Sequence, residues 1–114
     1  MTIEKKITVK KGSLTVDYSI TYDGDAELDL IFSPEFCLAF SYKTDADEQV
    51  IESAHHWKRT DDGFGFAFEL KGSLPVAYWA FPLETVSLSE NGFERTYQGT
   101  VVLPRIPLRL VPHQ

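Results

Sequence analysis

Apolar side chains in this sequence recur at every second residue, and only an extended strand turns that period into one apolar face. Leu14, Val16, Tyr18, Ile20 and Tyr22 share one side, with Ser13, Thr15, Asp17, Ser19 and Thr21 on the other. The alternation returns in Leu28, Leu30 and Phe32, then in Phe36, Leu38, Phe40 and Tyr42, and most cleanly in Phe64, Phe66, Phe68 and Leu70. No window holds sustained helical spacing. Residues 50–57 form a weaker strand and residues 76–81 a nearly continuous apolar one.

Turn chemistry falls between these stripes. Asp23-Gly24-Asp25, Asp61-Asp62-Gly63, Gly72-Ser73 and Asn91-Gly92 each combine a residue tolerant of positive φ with side chains that bond their own backbone. Ser33-Pro34 interrupts a ladder, and Pro104, Pro107 and Pro112 predict edge or bent strands at the end of the chain. Short strands at this spacing predict an all-β fold, a two-sheet, mainly antiparallel β-sandwich, with residues 1–114 as a single domain. The expected core is Leu14, Val16, Tyr18, Ile20, Leu30, Phe32, Leu38, Phe40, Phe66, Phe68, Val76, Tyr78, Val86 and Phe93.

A chain of 114 residues, 43% hydrophobic and 25% charged, can bury about two-thirds of its unfolded surface without disulfides or metals. Seventeen acidic against eleven basic side chains give a net charge of −6, which argues against nucleic acid as a partner. With no apolar run of membrane length and no signal-like start, the sequence reads as cytoplasmic, with no membrane partner. Cys37 is alone, and an inert buried thiol is the expectation.

Two clusters invite a metal. His55 and His56 are adjacent, so on a strand they point to opposite faces, and with His113 at the terminus a closed zinc site lacks ligands. They read as surface imidazoles. Asp45, Asp47, Glu48, Asp61 and Asp62 could offer oxygens to calcium, but their spacing does not fit an EF-hand, and a solvated acidic loop is the expectation. No cofactor is expected.

The densest chemistry lies between Trp79 and Pro104. There Trp79, Phe81, Phe93 and Tyr97 alternate with Glu84, Glu90, Glu94, Arg95 and Gln98. Flat rings beside donors and acceptors suit a polyhydroxylated ligand, whose C–H face stacks while its hydroxyls bond. Trp79, Glu84, Glu90, Arg95, Tyr97 and Gln98 are therefore the candidate carbohydrate-binding residues. The competing reading makes Trp79 and Tyr97 core residues, with Glu84, Glu90 and Arg95 knitting strands. Glu84 with Glu90 or Glu94 could also supply two carboxylates, but glycoside hydrolysis needs them about 5–10 Å apart across a cleft with one pKa raised.

The order of residues in FPLETVSLSENGFERTYQGTVVLP resembles the C-terminal end of family 57 glycoside hydrolases, the α-amylase and 4-α-glucanotransferase group. Residues 13–40 and 57–71 resemble the strand pairs of the same region, while PRIPL departs from it, where an aromatic is expected near Ile106. The resemblance implies a sandwich of the galactose-mutarotase type that follows a catalytic barrel. It also implies that the Glu nucleophile and Asp acid/base lie in that barrel, so no catalytic residue transfers to this sequence. The implied function is a noncatalytic domain of α-glucan metabolism that supports a catalytic barrel or touches α-glucan weakly. Alternatives are a dimerisation module forming a homodimer and a mutarotase-like enzyme using His55 or His56.

Overall fold

The computed structural model describes residues 1–112, so His113 lies outside the described residues. Among the described residues the fold has seven strands and one 3-10 turn: β1 (Thr2–Lys10), β2 (Ser13–Thr21), β3 (Leu28–Phe32), β4 (Phe36–Leu38), η1 (Asp45–Asp47), β5 (Gln49–Asp61), β6 (Phe66–Ser89) and β7 (Gly92–Leu110). They form two antiparallel sheets, consistent with the all-β sandwich class that the alternation predicts. Among the described residues no helix is long and apolar enough to cross a membrane.

The chain falls into two compact units, Met1–Leu30 with Leu108–Gln114, and Ile31–Pro107. In the first, β1 pairs with β2 across the Lys11-Gly12 turn, where Gly12 adopts φ 79°. β1 carries no signal in the alternation described above, because its apolar Ile3, Ile7 and Val9 are interrupted by lysines. In the larger sheet the order is β3-β7-β6-β5, with β4 also on β7. β7 is therefore an internal strand, contrary to the edge position its prolines predict. Pro104 sits opposite Tyr78 within the ladder.

Gly72-Ser73 is not a chain reversal either. β6 runs through it, and residues 72–75 bulge where only His55 stands opposite, between the pairs His56↔Lys71 and Ala54↔Val76. Gly and Pro75 loosen the ladder without ending the strand. The Asn91-Gly92 turn holds as expected, with Gly92 closing the β6–β7 hairpin at φ 107°, while the turn after Asp61 extends beyond Gly63 through Phe64 to Gly65, whose N–H bonds the Asp61 carbonyl at 2.8 Å.

The core lies in the second unit: Phe40, Trp57, Val76, Tyr78, Ala80 and Val102, flanked by Leu38, Phe68, Leu70 and Tyr97. Phe40, Trp57 and Phe68 meet tilted or edge-on at 6.2–6.4 Å between centroids, the geometry that ring quadrupoles favour. Burial of each such side chain contributes roughly 1.5–3 kcal/mol. Four expected core members are instead exposed, Leu14, Phe66, Val86 and Phe93, as is the neighbouring Phe64. Phe93 is 79% exposed. The alternation identifies an apolar face but not whether anything covers it. Cys37, expected to be buried, is also exposed.

Candidate functional site

The β6–β7 hairpin has two faces, and a bulge decides which residues share them. Leu83 pairs with Gly99 and Glu84 with Tyr97, which leaves Gln98 as the extra residue on β7. Beyond it Glu84, Val86 and Leu88 stand opposite Tyr97, Arg95 and Phe93, so these six share a face. Toward the core the same face carries Tyr78, Ala80 and Pro82. Trp79, Phe81 and Leu83 occupy the other face by strict alternation.

On the first face lies an open depression of about 340 Å³ lined by Lys43, Glu48, Pro82, Glu84, Val86 and Arg95. Lys43 Nζ donates to Glu84 Oε1 at 2.8 Å, an ion pair in which the carboxylate is the more buried partner. The Lys43 hydrogen bond, followed by the charges of Lys43 and Arg95, holds the Glu84 carboxyl below its usual range against the opposing effect of burial. The Lys43 ammonium is correspondingly pushed up by Glu84. Glu84 is thus an ionised acceptor at neutral pH. It lacks the raised pKa that a glycosidase acid requires.

Neither proposed partner carboxylate meets Glu84. Glu94 stands opposite Ser87, on the other face of the hairpin. Glu90 is in the turn, roughly 15–20 Å along a strand that rises about 3.3 Å per residue.

Two of the acidic residues expected to be solvated are in fact buried. Asp47 Oδ1 accepts from Arg59 Nε at 3.2 Å and from Thr100 Oγ1 at 2.7 Å, while Oδ2 accepts from Arg59 Nη2 at 3.2 Å and from the Thr44 N–H at 2.6 Å. Arg59 also donates to the Thr60 and Tyr42 carbonyls and lies 4.4 Å from the Phe40 ring centroid. Asp61 accepts from the Ser41 hydroxyl and from three backbone N–H groups, of Ser41, Gly63 and Phe64. Burial pushes the Asp61 carboxyl up, but these hydrogen bonds outweigh it and leave the pKa below the ordinary 3.8. These oxygens serve protein donors, and among the described residues no group of three or more His, Cys, Asp or Glu is placed to hold a metal ion.

Trp79 is 42% exposed on the opposite face, with the Arg105 guanidinium 3.7 Å from its ring centroid. It is therefore not a core residue. Tyr97 is half-buried and shares a 2.6 Å hydrogen bond with Thr100 Oγ1. Gln98 bonds Thr85 Oγ1 at 3.2 Å, and Glu90 is exposed in the turn. Of the six candidate residues, Glu84 and Arg95 line the depression with Tyr97 behind Glu84, while Trp79, Glu90 and Gln98 lie elsewhere. Lys43 and Glu48 complete the lining, and nothing in the order of residues marks them. Their signal is spatial, since η1 carries them to a strand about forty residues away. His55 and His56 are exposed on β5, and neither lines the depression.

Comparison with known proteins adds a family. Residues 1–113 match the family described as "Alpha-amylase/4-alpha-glucanotransferase, C-terminal". Alpha-amylase 1 of Dictyoglomus thermophilum is 42% identical over 53 residues, which is 46% of this chain and 8% of that protein. No solved structure matches.

Proposed function

We propose, from the premise that this chain belongs to the family of α-amylase/4-α-glucanotransferase C-terminal regions, that it is a noncatalytic accessory domain that touches α-glucan at the Lys43–Glu84–Arg95 depression. A parent enzyme of glycoside hydrolase family 57, carrying its catalytic residues in a barrel, is part of the same proposal. The observation that carries the glucan contact is the ionised Glu84, fixed by Lys43 and flanked by Arg95, in an open depression with apolar walls at Pro82 and Val86. Ionised acceptors and fixed donors exchange hydrogen bonds with vicinal hydroxyls, and the walls accept the C–H edge of a sugar ring.

Calorimetry with maltoheptaose tests this. The expected result is millimolar binding that is lost in Arg95→Ala and Glu84→Gln, with both variants folded and Glu84→Gln only slightly lower in melting temperature. Heats equal to dilution for the unmutated chain would remove the glucan contact and leave the accessory assignment. The same incubation followed by chromatography should show neither glucose release nor disproportionation.

One observation favours a second reading, a packing module for a catalytic barrel or a second copy. Val50, Trp79, Phe81 and Leu83 stay exposed on one face of the β5–β6–β7 sheet. A concentration-dependent sedimentation coefficient that Phe81→Ser abolishes would support self-association.

A further inference from the structure

Phe64 and Phe66 have no part in the depression, and the turn that presents them is hydrogen-bonded to the fold beneath it. The Asp61 carboxylate fixes their turn by accepting the N–H groups of Gly63 and Phe64 at 3.0 and 3.2 Å, and it ties the turn to Ser41 through that residue's N–H at 2.7 Å. Gly65 closes the turn at φ 77°, a conformation glycine adopts without strain. The two rings lie nearly parallel, 7° between planes and 6.3 Å between centroids, with Phe64 64% exposed. Phe66 leans on Phe40 of the core, 6.3 Å between centroids, which anchors one end of the pair. On the far side of Ser41, Tyr42 is also exposed, with its hydroxyl 3.4 Å from Asp62 Oδ2 and the Arg59 guanidinium 5.5 Å from its ring centroid.

We propose that Tyr42, Phe64 and Phe66 form a sugar-stacking platform that takes the pyranose faces of an α-glucan chain. Fixed, exposed rings match the apolar C–H faces of glucose units, and the Tyr42 hydroxyl and Asp62 carboxylate beside them supply a donor and an acceptor for its hydroxyls. Preorganisation by Asp61 removes the ordering cost that a mobile aromatic loop would incur on binding. Self-association through the same patch is disfavoured by charge. A two-fold interface sets a patch against itself, bringing Asp62 toward its own copy in a chain of net charge −6. The platform rests on the α-glucan reading and extends it, since Tyr42 is bonded in sequence to Lys43 of the depression.

NMR titration of the full 114-residue chain with maltoheptaose tests it, following the Phe64, Phe66 and Tyr42 ring resonances alongside the amides of Lys43, Glu84 and Arg95. The rings should shift saturably. Phe64→Ala should weaken binding about five- to tenfold, and Phe64→Tyr should stay within about twofold of the parent chain. Shifts confined to Lys43, Glu84 and Arg95 would overturn the platform and leave the depression as the glucan site. Ring shifts that persist in Arg95→Ala, with the Lys43, Glu84 and Arg95 amides silent in the parent chain, would uphold the platform and remove the depression. Silence at both places would remove both. A dimer in sedimentation that Phe64→Ala dissociates, without any response to sugar, would also overturn the platform. Should Phe64→Ala fail to fold, the ring shifts of the parent chain decide alone.

Discussion

Asp47 and Arg59 form an ion pair from which solvent is excluded, at 0% and 1% side-chain exposure, with each carboxylate oxygen bonded twice. The pair pins η1 to β5, and through Thr100 to β7, so the segment carrying Lys43 and Glu48 is held at the edge of the depression. Arg59→Met strands the buried carboxylate and should cost about 3–5 kcal/mol of unfolding free energy. Combining it with Asp47→Leu should recover most of that loss. Urea unfolding of the two single variants and the double variant measures the coupling directly.

Tyr78 is fully buried, and among the described residues its hydroxyl and Trp57 Nε1 have no hydrogen-bond partner. Burial pushes the phenol pKa up, and the Gly72 backbone, close but outside hydrogen-bonding geometry, offsets only part of this. Tyr78→Phe removes an unpaired polar atom and leaves the ring in place. It should be neutral or stabilising by about 1 kcal/mol. A loss larger than that in thermal unfolding would show that the hydroxyl is bonded in solution.

Acid should destabilise the fold in a defined window. Asp61 and Glu84 have folded pKa values below their ordinary 3.8 and 4.5, so the unfolded chain binds their protons first. Their contribution is fully present above those ordinary values and is lost as pH falls through the lower folded ones. Lys43 acts with the opposite sign: its raised pKa contributes below the ordinary 10.5 and is lost as pH climbs through the folded value. Unfolding free energy should be flat near neutrality and should decline below about pH 4.5. Glu84→Gln should make the acid limb shallower.

The two tryptophans should report different environments. Trp57 is 1% exposed and Trp79 is 42% exposed. Acrylamide should quench the Trp57→Phe variant, which keeps Trp79, several-fold more steeply than the Trp79→Phe variant. Arg105→Ala should steepen it further by uncovering the ring.

Phe93→Ser should change stability by no more than about 0.5 kcal/mol, as expected of an exposed position. Phe68→Ala, beside the core, should cost about 3 kcal/mol. Chemical denaturation of the pair separates covered stripe positions from uncovered ones.

That contrast shows how far the sequence was legible. Strands and hairpin turns depend on neighbours within a few residues, so the alternation and Asn91-Gly92 place them well. Val86 and Phe93 belong to real apolar stripes, while Phe64 lies in the turn before β6, and whether any of them is covered depends on distant chain that a local pattern does not encode. Asp47 and Asp61 look like solvated acids because the partners that bury them from outside their own turns are 12 and 20 residues away, at Arg59 and Ser41. Glu84 and Arg95 could be grouped from sequence because they lie diagonally on one face of a single hairpin. Lys43 was not, since it comes from a separate loop.

The extra residue at Gln98 makes the distal hairpin sensitive to chain length in an uneven way. Removing Gln98 leaves Gly99 opposite Leu83 and Tyr97 opposite Glu84, so every partner of β6 survives a one-residue deletion there. A deletion between Phe93 and Tyr97 has no such slack. It would turn Arg95 to the side now held by Thr85 and Ser87, because a one-residue slip exchanges the faces of a strand. Variation in length should therefore be tolerated at position 98 and suppressed in the five residues before it.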